Sequence, residues 1–391
     1  MRIVQIYIGL YISIILHKIH RMFRSIPILI FCAFTLFTHS AYSQLERKID
    51  FPDVPGYVTL KTDFHIHTVF SDGSVWPDIR IQEAVRDGLD AISLTEHLEY
   101  LPHEEDIPYP DRNRSYIIAK ELAKPHDLIV IHGTEITRDL PPGHANALFI
   151  TDANKMNVED PMKAYLAAHE QGAFVFWNHP NWIRQREDGR VVLTDMHKEL
   201  VNQNLLHGIE VVNDLTYSDD ALQVALANNL TVMGTSDIHG LVDWQYRLND
   251  GGHRPITLVF AKTRTEESIK EALFAGRTVT WFENILAGKE EHLSRLLKAS
   301  LIAQPASYIG PSTVAQMKIK NRSHASYILK NMSDYDFQSH SDIIEVPAQG
   351  EVTIGIMTLS HKSSFNLSFE VLNALSGKRK HPQIDFTVEL E

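Results

Sequence analysis

Histidines and carboxylates recur at short spacings through the first 240 residues of this chain: His65-Ile66-His67, Glu96-His97, Glu135, His179 and Asp237-Ile238-His239. Side chains at i and i+2 of a strand leave the same face, so His65 and His67 can reach one ion from one direction, and so can Asp237 and His239. Imidazole with carboxylate suits zinc, manganese or iron, whereas calcium prefers cages made wholly of oxygen. One such doublet alone is common at strand ends. A series of them in register with successive strands points to a metal centre that activates water for hydrolysis.

The elements that must hold these residues follow from hydrophobic periodicity. From Tyr57 to about Thr280, short apolar, β-branched runs alternate with amphipathic stretches, the pattern of a parallel α/β barrel or sheet. Strands are expected at Thr59 to Ile66, Ala91 to Thr95, Leu128 to Thr134, Ala145 to Thr151, Ala173 to Asn178, Gly208 to Val212, Thr231 to Thr235 and Ile256 to Ala261. Helices are expected at Pro77 to Asp87, Ser115 to Ala123, Asp160 to Gln171, Asp195 to Asn204, Asp219 to Asn228 and Glu266 to Phe274. Several of these open on Asp or Pro and close near Gly or Asn, residues that favour helix ends. His65, His67, Glu96, His97, Glu135, His179, Asp237 and His239 all fall at or just beyond the C-terminal ends of the predicted strands, the end of a barrel where active sites form.

Beyond about Leu301 the pattern changes to alternating runs, Ala315 to Ile319, Ile343 to Val346, Glu351 to Ile356 and Phe365 to Val371, separated by Asn, Ser and Gly turns. The expected organisation is a barrel over residues 44–300 and a small antiparallel β-sandwich over 301–391. The tail holds no histidine cluster or paired-carboxylate motif, which leaves it packing or interaction roles.

The first 43 residues carry Arg2, Lys18, Arg21 and Arg24 and no acid, with apolar stretches at Ile3 to Leu16 and Ile26 to Phe37. A basic patch, an apolar run and small residues at Ala41-Tyr42-Ser43 have the layout of a secretory signal cleaved near Ser43. A secreted or periplasmic protein without a stable membrane span is therefore expected. The earlier apolar stretch is short for a membrane anchor, and the lipid-anchor alternative at Cys32 meets a bulky Phe31 where a small residue is needed. Cys32 is the single cysteine, so the mature chain forms no disulfide. Loss of the four cations lowers the formal net charge from −12 to −16, which disfavours nucleic acid as a partner, because phosphate backbones are gripped by Lys and Arg surfaces.

The ordered motifs resemble the PHP (polymerase and histidinol phosphatase) domain: DFHIHTVFSDG at 63–73, LTEH at 94–97, HGTEIT at 132–137, His144 in PGHANAL, WNHP at 177–180, GIEVVN at 208–213 and TSDIH at 235–239. The resemblance spans residues 58–282 and implies a distorted (β/α)7 barrel of metal-dependent phosphoesterases. It further implies that His65, His67, Glu135 and Asp237 hold one ion, that Glu135 bridges to a second held by His144 and His179, and that Asp72, His97 and His239 hold a third. Two or three divalent ions, zinc, manganese or iron, are the implied cofactors. A small phosphomonoester or phosphodiester would be attacked by a metal-bridging hydroxide, with Glu135, Asp237 and His239 as the catalytic set. Amidohydrolases also open on HxH and close on Asp, but they usually carry a bridging Lys where this chain has Glu135. An amide or ester hydrolase and a non-catalytic metal-binding protein are the alternatives.

Substrate contacts are expected from the loop Glu99 to Ser115, through Tyr100, Arg112 and Arg114, since loops at this face reach ligands and Arg suits phosphate. Arg184, with Asn178, Asn181 and Trp182 near His179, adds a further set. Asn213 is a candidate to hydrogen-bond a ligand or a site histidine. His126, His132, His169, His197 and His207 read as surface or core histidines, and Glu96 as structural.

Overall fold

The computed structural model describes residues 48–108 and 111–390. The expected signal segment, residues 1–43, lies outside the described residues. Among the described residues no helix is long and apolar enough to cross a membrane.

Strands of the first region are buried almost without alternation, the mark of a sheet covered on both faces. Val58–Ile66, for example, is buried from Thr62 through Ile66. Among the described residues eleven strands of this region, all but short β7 largely buried, run in chain order: β1 Val58–Ile66, β2 Ala91–Leu94, β3 Ile129–Ile136, β4 Ala145–Leu148, β5 Phe174–Trp177, β6 Gly208–Asn213, β7 Thr216–Tyr217, β8 Thr231–Thr235, β9 Ile256–Ala261, β10 Thr278–Phe282 and β11 Ile285–Gly288. The intervening helices are α1 Pro77–Asp87, α2 Arg114–Ala123, α3 Pro161–Glu170, α4 Asp195–Asn202, α5 Asp219–Ala227, α6 Val242–Gln245, α7 Glu266–Phe274 and α8 Glu290–Ser300. Side chains of Asp160, Thr194, Ser218 and Thr265 accept from first-turn N–H groups and so cap four of them, which is why these helices start where they do.

The sheet runs β11-β10-β9-β1-β2-β3-β4-β5-β6, with β7 and β8 both paired to β6. It is mixed, not wholly parallel: β4 is antiparallel to β3 and β5, and β9 is antiparallel to β1 and β10. Those reversals distort the barrel. Closure comes just beyond β8, where Asp237 N donates to His65 O at 2.8 Å and His67 N donates to Ile238 O at 3.1 Å. The two metal-type doublets are thus hydrogen-bonded to each other by backbone. β8 also passes β10 so closely that a Cβ on Gly234 would lie 1.6 Å from Thr280 Oγ1, which only glycine avoids.

From Leu301 onward the burial alternates, as in Val314–Asn321, the sign of strands with one solvated face. Two four-stranded antiparallel sheets result, a β-sandwich. Ala374–Leu375 leaves the sandwich and pairs in parallel with β11. One continuous apolar core joins Leu258, Trp281 and Leu296 of the barrel to Ile319, Tyr327 and Phe369 of the sandwich. Hairpin β10–β11 and helix α8, which make this junction, have no counterpart among the elements expected from the sequence.

Candidate metal centre

All nine ligand candidates meet at one mouth of the barrel: eight lie at or beyond the C-terminal ends of strands, and His144 stands just before β4, which runs antiparallel to its neighbours. His65 and His67 end β1. The chain then turns sharply, Gly73 N donating to Thr68 O at 3.0 Å, and brings Asp72 back beside His67. A Cβ on Gly73 would lie 2.7 Å from the His67 carbonyl carbon, so the turn requires glycine. His179 and Asp237 take positive φ angles of 27° and 50°. Such backbone is costly in a non-glycine residue and tends to mark functional sites.

Glu135 lies at the centre, fully buried. Its Oε1 stands 3.0 Å from His144 Nδ1, 3.6 Å from His65 Nε2 and 3.6 Å from His179 Nε2; its Oε2 stands 2.7 Å from His97 Nδ1 and 3.6 Å from His67 Nε2. Asp237 Oδ1 is 3.1 Å from Nε2 of both His65 and His67. Asp72 Oδ1 is 3.0 Å from His239 Nε2 and 3.4 Å from His97 Nε2. Three groupings have ligand atoms within 4.8 Å of one another: His67, Asp72, His97 and His239; His65, His67 and Glu135; His97, Glu135 and His144. His67 therefore faces the Asp72 group as well as His65.

Surrounding side chains decide which atom each ligand presents. His65 Nδ1–H donates to Glu210 Oε1 at 2.8 Å, and His67 Nδ1–H to Ser71 Oγ at 3.3 Å, leaving both Nε2 lone pairs for the cleft. This outward hydrogen bond is the usual arrangement for a metal-ligating histidine. Glu210 also accepts from Thr235 Oγ1, His179 N and Asn213 Nδ2. Glu96 accepts from Thr68 and Ser71 and so ties down the loop between His67 and Asp72. Asn178 Nδ2 donates to Glu135 Oε1 at 2.8 Å. Buried Arg80, from α1, uses all five N–H groups: to the carbonyls of His67, Ile238, His239 and Gly240, and to Glu83 Oε2 at 2.8 Å. One guanidinium thus gathers the backbones of both metal-type doublets.

Several buried atoms nevertheless have no hydrogen-bond partner: His65 Nε2, His67 Nε2, Asp72 Oδ1, Glu135 Oε2 and His179 Nδ1. Those of His65, His67, Asp72 and Glu135 lie instead within ion-pair distance of one another's histidine and carboxylate groups, an arrangement that a cation between them would satisfy. Charge agrees. Burial opposes ionisation of Glu135, yet His97, His144 and His65 hold it well below the carboxylate range. Burial likewise opposes ionisation of Asp237, and His65 and His67 hold it low; His239 and His97 do the same for Asp72. Burial and the neighbouring His97 push His67 down to about 3. His97 itself, against its own burial, is raised to about 10 by Glu135 and Asp72. A divalent cation would displace these protons, because ligation requires neutral imidazole and ionised carboxylate.

An open cleft of about 910 Å³ lies above the cluster, lined by Tyr100, Trp182, Ile183, Arg184, Asp214 and Gln245 among others. Of the expected substrate residues, Tyr100 and Arg184 line it; Arg112 and Arg114 do not. Arg112 N donates to Asn154 Oδ1 and Asn113 Nδ2 donates to Asp152 Oδ1, which ties that segment to the Asp152–Met156 turn, and Arg114 begins α2. Asn213 donates to Glu210 Oε2 at 2.9 Å and to Asp237 Oδ2 at 3.4 Å, inside the site. His197 Nε2–H donates to Pro142 O, and His132 stacks on Tyr116 at 4.0 Å, as structural histidines do. Sequence reasoning missed Glu210, Arg80 and Asp214. Glu210 carried one signal, as the single charge inside the apolar strand GIEVVN.

A family profile described as an Ig-like domain matches residues 302–387. A two-domain protein from Bacteroides vulgatus, its crystal structure described as containing a predicted PHP-like metal-dependent phosphoesterase, is 37% identical, with a TM-score of 0.82 over 88% of this chain and 99% of that one. An uncharacterized protein of Methanocaldococcus jannaschii is 38% identical over 85 residues, 21% of this chain; the chain covers 36% of that relative's length.

Proposed function

We propose, from the premise that this chain belongs to the PHP-like family of two-domain proteins, that it is a metal-dependent phosphoesterase acting on a small phosphomonoester or phosphodiester. The observation that carries this reading is the convergence of unpartnered, buried Nε2 and carboxylate oxygen atoms at one end of the barrel. Two or three divalent ions, zinc, manganese or iron, held by His65, His67, Asp72, His97, Glu135, His144, His179, Asp237 and His239 would make hydroxide available near neutral pH and offset phosphoryl charge.

The chain's own groups do the rest. Glu135 stays ionised at the centre and touches both halves of the ligand set. Asp237 turns Oδ1 to His65 and His67 and keeps Oδ2 against Asn213, so Oδ2 is the group to pass on the proton that water loses. His239 is the most exposed of the site histidines, 38% against 13% or less for the others, which places the ion it would help hold at the mouth of the cleft, where it would offset charge on the leaving oxygen. Export belongs to the same reading and rests on the layout of residues 1–43.

One observation favours a carbonyl substrate instead: Arg184 is the only lysine or arginine among the cleft-lining residues, and an ester or amide needs no phosphate-binding cation. Purified protein assayed with p-nitrophenyl phosphate, bis-p-nitrophenyl phosphate and p-nitrophenyl acetate, with Mn²⁺ or Zn²⁺ and with chelator, separates the two. Metal-dependent turnover of either phosphoester is expected. Turnover of the acetate alone would move the assignment to a carbonyl hydrolase, and no metal-dependent turnover of any of the three would end the enzyme reading.

A further inference from the structure

The walls of the cleft differ in chemistry from its floor. Two partly exposed aromatic rings stand roughly edge-on to site histidines at the mouth: Tyr100 against His97, 5.8 Å between centroids at 71°, and Trp182 against His179 and His144, 5.1 and 5.7 Å at 69° and 65°. Ile183 extends this apolar rim and is 67% exposed. Arg184 lies near the Trp182 ring, 5.8 Å from its centroid.

The remaining wall is Asn213, Asp214, Thr216 and Gln245. Asp214 accepts from Gln245 Nε2 and, at 3.4 Å, from Tyr246 O–H. An ionised carboxylate has room for about four hydrogen bonds, and the Gln245 amide oxygen adds another acceptor. No lysine or arginine lies within ion-pair distance of Asp214 among the described residues. A wall of acceptors beside half-buried Asp237 repels a second anionic group on the substrate and welcomes O–H donors.

A hydroxylated aliphatic ring matches both walls, with C–H faces for the aromatic rim and O–H edges for the acceptors. We propose that the space between Trp182 and the Asp214–Gln245 pair is a leaving-group subsite for a neutral hydroxylated ring, which makes the substrate class a sugar monophosphate. This rests on the phosphoesterase reading.

The test uses the full chain with Mn²⁺, assayed on glucose 1-phosphate, glucose 6-phosphate and ribose 5-phosphate against glycerol 3-phosphate, AMP and fructose 1,6-bisphosphate. The best sugar monophosphate should lead the other three by about ten-fold in kcat/KM, a typical worth for a few specific contacts. Gln245→Ala and Trp182→Leu should each reduce that lead by about ten-fold, mainly through KM. Equal or faster turnover of glycerol 3-phosphate, AMP or the bisphosphate overturns the subsite, and so does a lead that survives both substitutions. If no phosphoester is hydrolysed, the phosphoesterase reading fails by itself, and the subsite is then judged by NMR saturation transfer from the protein to methyl glucoside. Transfer that disappears in Gln245→Ala supports it; no transfer to begin with overturns it.

Discussion

The barrel mouth and the β-sandwich both bury polar side chains, and they treat them in opposite ways. In the sandwich, Asn321 donates to Ala325 O and Pro347 O while accepting from Ser323 N and Oγ. Asn373 donates to Asn284 and to Ser326 O and accepts from Ile328 N. Among the described residues from 301 onward, no buried side-chain nitrogen or oxygen lacks a partner. At the barrel mouth the outer atoms of the ligands are equally well bonded, but their inner atoms are not. Tyr165 Oη and Trp281 Nε1 stand apart from the site, whereas the inward-facing atoms of His65, His67, Asp72 and Glu135 converge. One region uses its polar groups to hold its own shape; the other turns them toward a shared centre.

Substitutions that cross this divide should separate activity from stability. Glu135→Ala removes the central carboxylate and should abolish binding of at least one metal ion and cut kcat/KM by about 10³-fold or more; elemental analysis and phosphatase assay check it, and full metal content would sink the assignment. Arg80→Lys exchanges five N–H donors for three, leaving buried carbonyls of the doublet loops without partners. It should cost about 3 kcal/mol in urea unfolding and reduce metal occupancy. Asn373→Ala strips donors from the sandwich junction and should cost about 2 kcal/mol with metal content unchanged; lost metal would blur the contrast between the regions.

The smallest effect is set by pH. Burial lowers His197 to about 4, against the opposing hydrogen bond to Pro142 O. The folded pKa lies below the unfolded value of about 6.5, so the unfolded chain takes up the proton first. Stability is therefore whole above about pH 6.5 and falls as pH drops toward 4. At pH 5.5 the loss should be about 1 kcal/mol, and His197→Gln should flatten that part of the pH–stability curve in thermal melts.

Much of this was legible in one dimension. Strands β1, β2, β6, β8 and β9 and helices α1, α5 and α7 follow from local apolar runs and caps, and the nine ligand candidates follow from motifs confined to a few residues each. The β10–β11 hairpin and α8 were not legible, because their apolar faces pack into a core shared with later sandwich residues such as Phe369 and Ala374. Strand direction was hidden for a similar reason: β4 and β9 carry the same apolar run whether paired parallel or antiparallel.

The sequence by itself determined which residue types stand at the strand ends, since two histidines two apart on a strand share a face regardless of what the rest of the chain does. Only the tertiary structure decided what surrounds them. Glu210 is 145 residues from the His65 it orients, and Arg80 is about 160 from three of the carbonyls it gathers. It also decided that Arg112 and Arg114 sit off the cleft while Arg184, Trp182 and Asp214 line it. Those choices depend on which loops closure of the barrel brings to one mouth, and no local spacing encodes them.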